Sequence, residues 1–162
     1  EELTQPSSLL VKDKYLYVAN LDPGCILVFD LTTEEIVNIV GSHGDGPGEL
    51  AFPNDLTFGP DGNLYVSDTG NNRIQVYSPN GEYIKALDVS ADTIFNPRGL
   101  GFNSLGQLYV VSKMNSEVVL LDENAKVIDT FGGNLFTLPN GLTVGSDGQL
   151  YVTDHYSLVV YQ

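Results

Sequence analysis

The phrase Leu-Tyr-Val occurs four times, at Leu16-Tyr17-Val18, Leu64-Tyr65-Val66, Leu108-Tyr109-Val110 and Leu150-Tyr151-Val152, and its tyrosines lie 48, 44 and 42 residues apart. A period of that size marks a repeat architecture whose unit is one small sheet or one helix pair. The flanking residues decide for the sheet. Each phrase follows a proline-led apolar run: Pro6 leads to Leu9-Leu10-Val11, Pro53 to Leu56-Thr57-Phe58, Pro97 to Leu100-Gly101-Phe102 and Pro139 to Leu142-Thr143-Val144. Clusters such as Gly59-Pro60-Asp61-Gly62 and Gly145-Ser146-Asp147-Gly148 close these runs, supplying the fixed and positive φ angles of tight turns. A third run follows each phrase, at Ile26-Leu27-Val28-Phe29, Ile74-Gln75-Val76-Tyr77, Val118-Val119-Leu120-Leu121 and Leu158-Val159-Val160-Tyr161. A fourth, such as Glu35-Ile36-Val37-Asn38-Ile39-Val40, appears in three copies. These runs are β-branched or aromatic, bounded by turns and too short for helices, so they read as strands. No window sustains a 3.6-residue period, which excludes a helical solenoid, and a β-sandwich gives the sequence no reason to repeat. The pattern predicts an all-β fold, a β-propeller of four four-stranded antiparallel blades, the last without its outer strand. One domain spans residues 1–162, as a ring or an arc, with blades at about 1–44, 45–91, 92–134 and 135–162.

The second copy is the most regular. Its linker Gly46-Pro47-Gly48-Glu49-Leu50, the pair Pro53-Asn54, the turn Asp61-Gly62, the run Tyr65-Val66-Ser67-Asp68 and the loop Asn72-Arg73-Ile74 resemble the NHL-repeat family. The other copies depart from it: Ser112 stands where the second copy has Asp68, and Lys113-Met114-Asn115-Ser116-Glu117 replaces the Asn-Arg loop. The resemblance implies the propeller fold for essentially the whole chain. It carries function poorly, because propellers host many unrelated tasks.

The ends raise a packing problem. Each blade of a propeller packs both faces against neighbours, so an open arc of four leaves one apolar face bare at each end and the edge of Leu158, Val159, Val160 and Tyr161 unpaired. Apolar patches beyond roughly a few hundred Å² are rare on soluble monomers, and free edges invite pairing. Three arrangements cover them: a small four-bladed ring, a larger ring completed by a second chain or by a longer parent chain, and head-to-tail association into an oligomer or filament.

Composition narrows the partners. With 21 acidic against 7 basic residues the net charge is −14, which argues against a nucleic-acid surface, since phosphates are met chiefly by Lys and Arg. No stretch approaches the 18 apolar residues of a membrane span. Cys25 is the single cysteine, so it forms no intramolecular disulfide and is expected as a small buried residue opening a strand. Acidity, few lysines and the company NHL modules keep point to a secreted or cell-surface protein.

Propeller geometry gathers the loops between second and third strands, and the linkers between blades, on one face around the channel. Residues just after the leading prolines, Ser7, Asn54, Asp55, Arg98 and Asn140, are expected to line its mouth as a ligand site, with Asp55 as the carboxylate for Arg98. Asp68 with Asn71, Asn72 and Arg73 reads as a structural network. His43 and His155 fall on the same face and are the candidate metal ligands, with Asp45, Asp154 or Glu49 adding oxygens. Peptidyl-α-hydroxyglycine α-amidating lyase is similar in its repeats, and that resemblance implies a zinc site of three histidines where this chain has two. No cofactor is expected as a resident; zinc or calcium is the candidate if one binds. The glycines around Asp45 lack the following helix and cation of a phosphate loop. The expected function is a non-catalytic binding or scaffold module for protein or carbohydrate partners, with a metal-assisted lyase or hydrolase as the alternative.

Overall fold

The computed structural model describes residues 2–161, so the outermost residue at each end of the expected domain lies outside the described residues. Blade one consists of β1 (Pro6–Lys12), β2 (Tyr15–Asn20), β3 (Cys25–Asp30) and β4 (Glu35–Val40) in that spatial order. The linker to blade two contains a two-residue parallel pair, β5 (Ser42–His43) with β6 (Glu49–Leu50). Blade two is β7 (Pro53–Phe58), β8 (Leu64–Asp68), β9 (Arg73–Tyr77) and β10 (Tyr83–Ala86), and blade three is β11 (Pro97–Phe102), β12 (Leu108–Ser112), β13 (Glu117–Leu121) and β14 (Val127–Gly132). Blade four has three strands, β15 (Leu142–Val144), β16 (Leu150–Thr153) and β17 (Leu158–Tyr161). All ladders within blades are antiparallel. The expected four-repeat architecture is therefore present, and among the described residues the last blade shows no outer strand.

Local chemistry explains the hairpins. The Asp-Gly turns place Gly62 and Gly148 at φ of 80° and 81°, the left-handed region where a residue with Cβ is disfavoured. Along each strand the side chains alternate between the two faces of the blade, and in blades two and three both faces are apolar because both meet other blades. The Leu-Tyr-Val tyrosine reaches forward. Tyr17 meets Phe58 of blade two edge-on at 5.1 Å between centroids, and Tyr65 meets Phe102 of blade three at 4.9 Å. Each such pair is worth about 0.5–1.5 kcal/mol beyond area burial. Backward-facing Leu56, Leu64, Val66 and Tyr77 of blade two complete the core with Ala19, Ile26 and Val28 of blade one. The same arrangement joins blades two and three, and blades three and four. Leu50, Ile94 and Phe136, each three or so residues before a leading proline, plug the tops of these cores.

The inner strands β1, β7, β11 and β15 stand side by side in that order, and β1 makes no comparable contact with β15. The four blades form an open arc, and its end faces are bare. Leu9 of blade one is 69% exposed where the equivalent Leu56 of blade two is 4% exposed. Leu158 and Val160 of blade four are 59% and 47% exposed where Ile74 and Val76 are 2% and 0%. Among the described residues β17 is the edge of its sheet, as expected. Its four residues do not all serve that edge, however. Val159 packs into the core shared with blade three, and Tyr161 stacks on Phe131 at 4.2 Å, so Leu158 and Val160 alone face outward.

Candidate functional site

The ladders of blades one to three shift register at their first residues, between Pro6 and Ser8, Pro53 and Leu56, and Pro97 and Leu100. Such irregularities release the intervening residues from regular pairing and re-aim them. The result is a cavity of about 200 Å³ at the channel mouth, walled by Ser7, Asn54, Asp55, Gly99 and Asn140 among others. Every blade contributes to it. Cross-blade hydrogen bonds fix its walls: Ser7 Oγ donates to the Pro53 carbonyl at 2.9 Å, Thr69 Oγ1 to the Pro97 carbonyl at 2.5 Å, and the Gly99 N–H to the Asn140 carbonyl at 2.8 Å. A Cβ on Gly99 would lie 2.5 Å from the Leu142 nitrogen, so glycine is what lets β11 and β15 approach this closely.

Asp55 is a clamp between blades rather than a partner for Arg98. Its Oδ1 accepts from Ser8 Oγ of blade one at 2.5 Å and from the Leu56 N–H at 2.9 Å, and its Oδ2 accepts from the Leu100 N–H of blade three at 2.8 Å. Burial pushes this carboxyl above the usual carboxylate range, and the three hydrogen bonds oppose that rise. One carboxylate thus ties three blades together. The expected Asp55–Arg98 pair does not form, because Asp55 has spent its acceptor capacity on donors closer to hand. Arg98 instead donates from Nε to Asn96 Oδ1 at 3.1 Å, and Gly99 stands for blade three on the cavity wall.

Asp68 is the hub of the expected network. It is fully buried and accepts from Arg73 Nε at 2.7 Å, Asn71 Nδ2 at 2.9 Å, Gln75 Nε2 at 3.0 Å and the Ala51 N–H at 2.7 Å. Arg73 also donates to the Gly46 and Glu49 carbonyls, and Asn71 to the Gly44 carbonyl. The regular motifs of the second copy are therefore one device, in which the Asn-Arg loop straps the glycine-rich linker to the end of β8. The other blades keep only part of it. Asn20 Oδ1 accepts the Thr4 and Gln5 N–H groups, Ser112 Oγ accepts the Phe95 N–H, and Asp154 accepts the Thr137 and Leu138 N–H groups.

His43 lies in the linker beside Gly24 of blade one, and His155 lies in blade four against the Tyr156 ring at 4.1 Å. Among the described residues no group of three or more His, Cys, Asp or Glu side chains converges, so a zinc site of the three-histidine kind has no ligand set there. Asp61 and Asp147 serve their turns, accepting the N–H groups of Asn63 and Gln149. Cys25 is buried at the start of β3, as expected. Sequence reasoning missed Ser8, Thr69 and Gly99, whose roles are all contacts between blades.

The chain matches, over residues 1–162, the family described as 6-bladed beta-propeller. It is similar to peptidyl-glycine alpha-amidating monooxygenase B of Xenopus laevis, 29% identical over 128 residues, covering 72% of this chain and 14% of that protein. It is also similar to NHL repeat-containing protein 3 of Mus musculus, 27% identical over 118 residues, covering 70% of this chain and 34% of that protein. The chain thus matches a minor part of the length of these curated relatives. Among solved structures, Kuenenia stuttgartiensis hydrazine synthase superposes with a TM-score of 0.77 at 16% identity, over 100% of this chain and 47% of that one, a likeness of fold. No described helix is long and apolar enough to cross a membrane. Four NHL-like blades set in an open arc, together with the match along the whole sequence, place this chain in the DUF5128 family of 6-bladed beta-propellers.

Proposed function

We propose that the chain is a non-catalytic propeller module that binds a protein or carbohydrate partner on its channel face and joins further blades through its bare ends. The supporting observation is the commitment of its central carboxylates. Asp55 and Asp68 accept from donors that hold blades and linkers together, and the cavity wall carries the amides of Asn54 and Asn140, groups that recognise polar ligands by hydrogen bonding. The exposed Leu9, Val11, Leu158 and Val160 support the joining of blades, supplied by a longer chain or by another copy. A secreted or cell-surface setting belongs to the same proposal and rests on the acidity and the NHL likeness.

Titration of the isotope-labelled chain with a panel of oligosaccharides and short peptides tests the binding reading. Shifts at Ser7, Asn54 and Asn140 are expected; shifts confined to the turns around Asp61 and Asp147, on the opposite side, would overturn it. The similarity to a probable peptidyl-alpha-hydroxyglycine alpha-amidating lyase of Caenorhabditis elegans, 42% identical over 40 residues, favours a second reading, a metal-assisted lyase. Stoichiometric zinc that is lost in His43→Ala and His155→Ala, with cleavage of a peptidyl-α-hydroxyglycine, would select it.

A further inference from the structure

In a chain this acidic a half-buried cation is expected to find a carboxylate, and Arg73 does so in Asp68. Arg98 and Lys113 do not. Both are half-buried at the channel end of blade three, and the local strap brings them to one place. Pro97 stands opposite Ser112 in the ladder, the Lys113 N–H donates to the Asn96 carbonyl at 3.3 Å, and the Met114 N–H donates to the Phe95 carbonyl at 3.3 Å. Among the described residues the only side-chain acceptor at Arg98 is the neutral amide oxygen of Asn96, and neither cation joins an ion pair there. Burial disfavours the charge on Arg98, and burial followed by the charge of Arg98 disfavours that on Lys113. A bound anion would relieve both.

The repeat shows what is missing. Blade two keeps Asp68 at the end of its second strand, where it holds Arg73. Blade three has Ser112 there, occupied with the Phe95 N–H, so the repeat's carboxylate is absent at the place where two cations gather. Beside them Phe95 and Met114 are 45% and 59% exposed, an apolar surface next to an unpaired positive site.

We propose that Arg98 and Lys113 bind the carboxylate of an amphipathic ligand at the rim of blade three, with Phe95 and Met114 seating the apolar group beside that carboxylate. The C-terminus of a peptide ending in an apolar residue has this chemistry. The inference rests on the channel-face reading above and gives it a ligand class. The planar guanidinium offers a fork to the two carboxylate oxygens, and the ammonium adds a compact charge. Methionine adapts its shape to varied apolar groups.

The test titrates the isotope-labelled chain with N-acetyl-L-phenylalanine, with N-acetyl-L-phenylalaninamide, which lacks the charge, and with inorganic phosphate, which lacks the apolar group. The acid is expected to shift the amide signals of residues 95–98 and 113–114 and the Met114 methyl, and to bind at least about tenfold more tightly than the amide or phosphate. Arg98→Gln and Lys113→Gln should each weaken the acid about tenfold, and Lys113→Arg should retain it, which separates loss of charge from loss of fold. Equal binding of acid and amide, or phosphate binding as tight as the acid, overturns the proposal. If the acid leaves blade three unperturbed while oligosaccharides or uncharged peptides shift Asn54 and Asn140, the inference fails and the channel-face reading stands.

Discussion

Blade two and blade four are built on the same phrase and nearly the same register, yet their equivalent residues live in different surroundings. Tyr65 pairs with Val76 across β8 and β9, and Tyr151 pairs with Val160 across β16 and β17. Val76 is sealed by blade three, whereas Val160 faces solvent. Asp68 is buried under four donors, while Asp154 meets the Thr137 and Leu138 N–H groups at a half-buried position. Burial, the largest single influence, pushes the Asp154 carboxyl up, and the N–H groups of Thr137, Leu138 and His155 together hold it below the usual range. In a propeller, then, the strand is specified by the repeat but its environment by the neighbouring blade, because the core lies between units and not within them.

The sharpest way to break this comparison is one substitution made at both places. Val76→Asp puts a charge into a sealed interface and is expected to cost more than about 4 kcal/mol, enough to abolish folding. Val160→Asp should change stability by less than about 0.5 kcal/mol in the isolated chain. It should also abolish any concentration-dependent association seen by light scattering. Equal destabilisation at the two sites would mean that blade four has a covered outer face. The hubs give a smaller contrast. Asp68→Ala leaves Arg73 unpaired and strands several donors, and urea unfolding should show a loss of about 3–5 kcal/mol. Asp154→Ala should lose about 1 kcal/mol, since water replaces the carboxylate at a site only half buried.

The legible part of this molecule was whatever repeats along the chain. The Leu-Tyr-Val period, the proline-led inner strands and the turn glycines fix four blades. The local network around Asp68 follows from spacing, because Asn71 and Arg73 lie within five residues of it. Contacts between blades were not legible. Ser8 reaches Asp55 across 47 residues, and nothing in the local sequence marks the Ser8 hydroxyl or the Leu100 N–H as its donors. Arg98 therefore looked like the partner of a carboxylate that was already engaged. The facing of β17 was within reach, since Val160 aligns with Val76 and Val28, both buried and turned towards the following blade. Alignment by phase rather than by hydrophobicity identifies Val160, and not Val159, as the outward residue.

The smallest contrast lies at the turns after the third strands, and pH resolves it. In blade one Asp30 ends β3 and accepts from Lys14 Nζ at 2.7 Å and from the Thr32 N–H at 2.8 Å. In blade three Asp122 accepts from the Asn124 and Lys126 N–H groups, at 2.9 and 2.8 Å, with no ion pair among the described residues. The Lys14 hydrogen bond, followed by that from Thr32, lowers the Asp30 carboxyl from 3.8 to about 2, and the same Lys14–Asp30 bond raises the ammonium above its ordinary 10.5. A carboxyl depressed on folding stabilises the folded state above its unfolded pKa and loses that contribution as pH falls through the folded value. A raised lysine contributes fully below its unfolded pKa and loses the contribution as pH climbs through the folded one. The pair should therefore steepen the loss of stability between pH 4 and 2 and leave the range between about 4 and 10 flat. Denaturation midpoints measured from pH 2 to 5 should show this acid slope reduced in Asp30→Asn. A slope unchanged by that substitution would show that Lys14 and Asp30 are solvated independently in solution, leaving the turn in blade one no different from its counterpart in blade three.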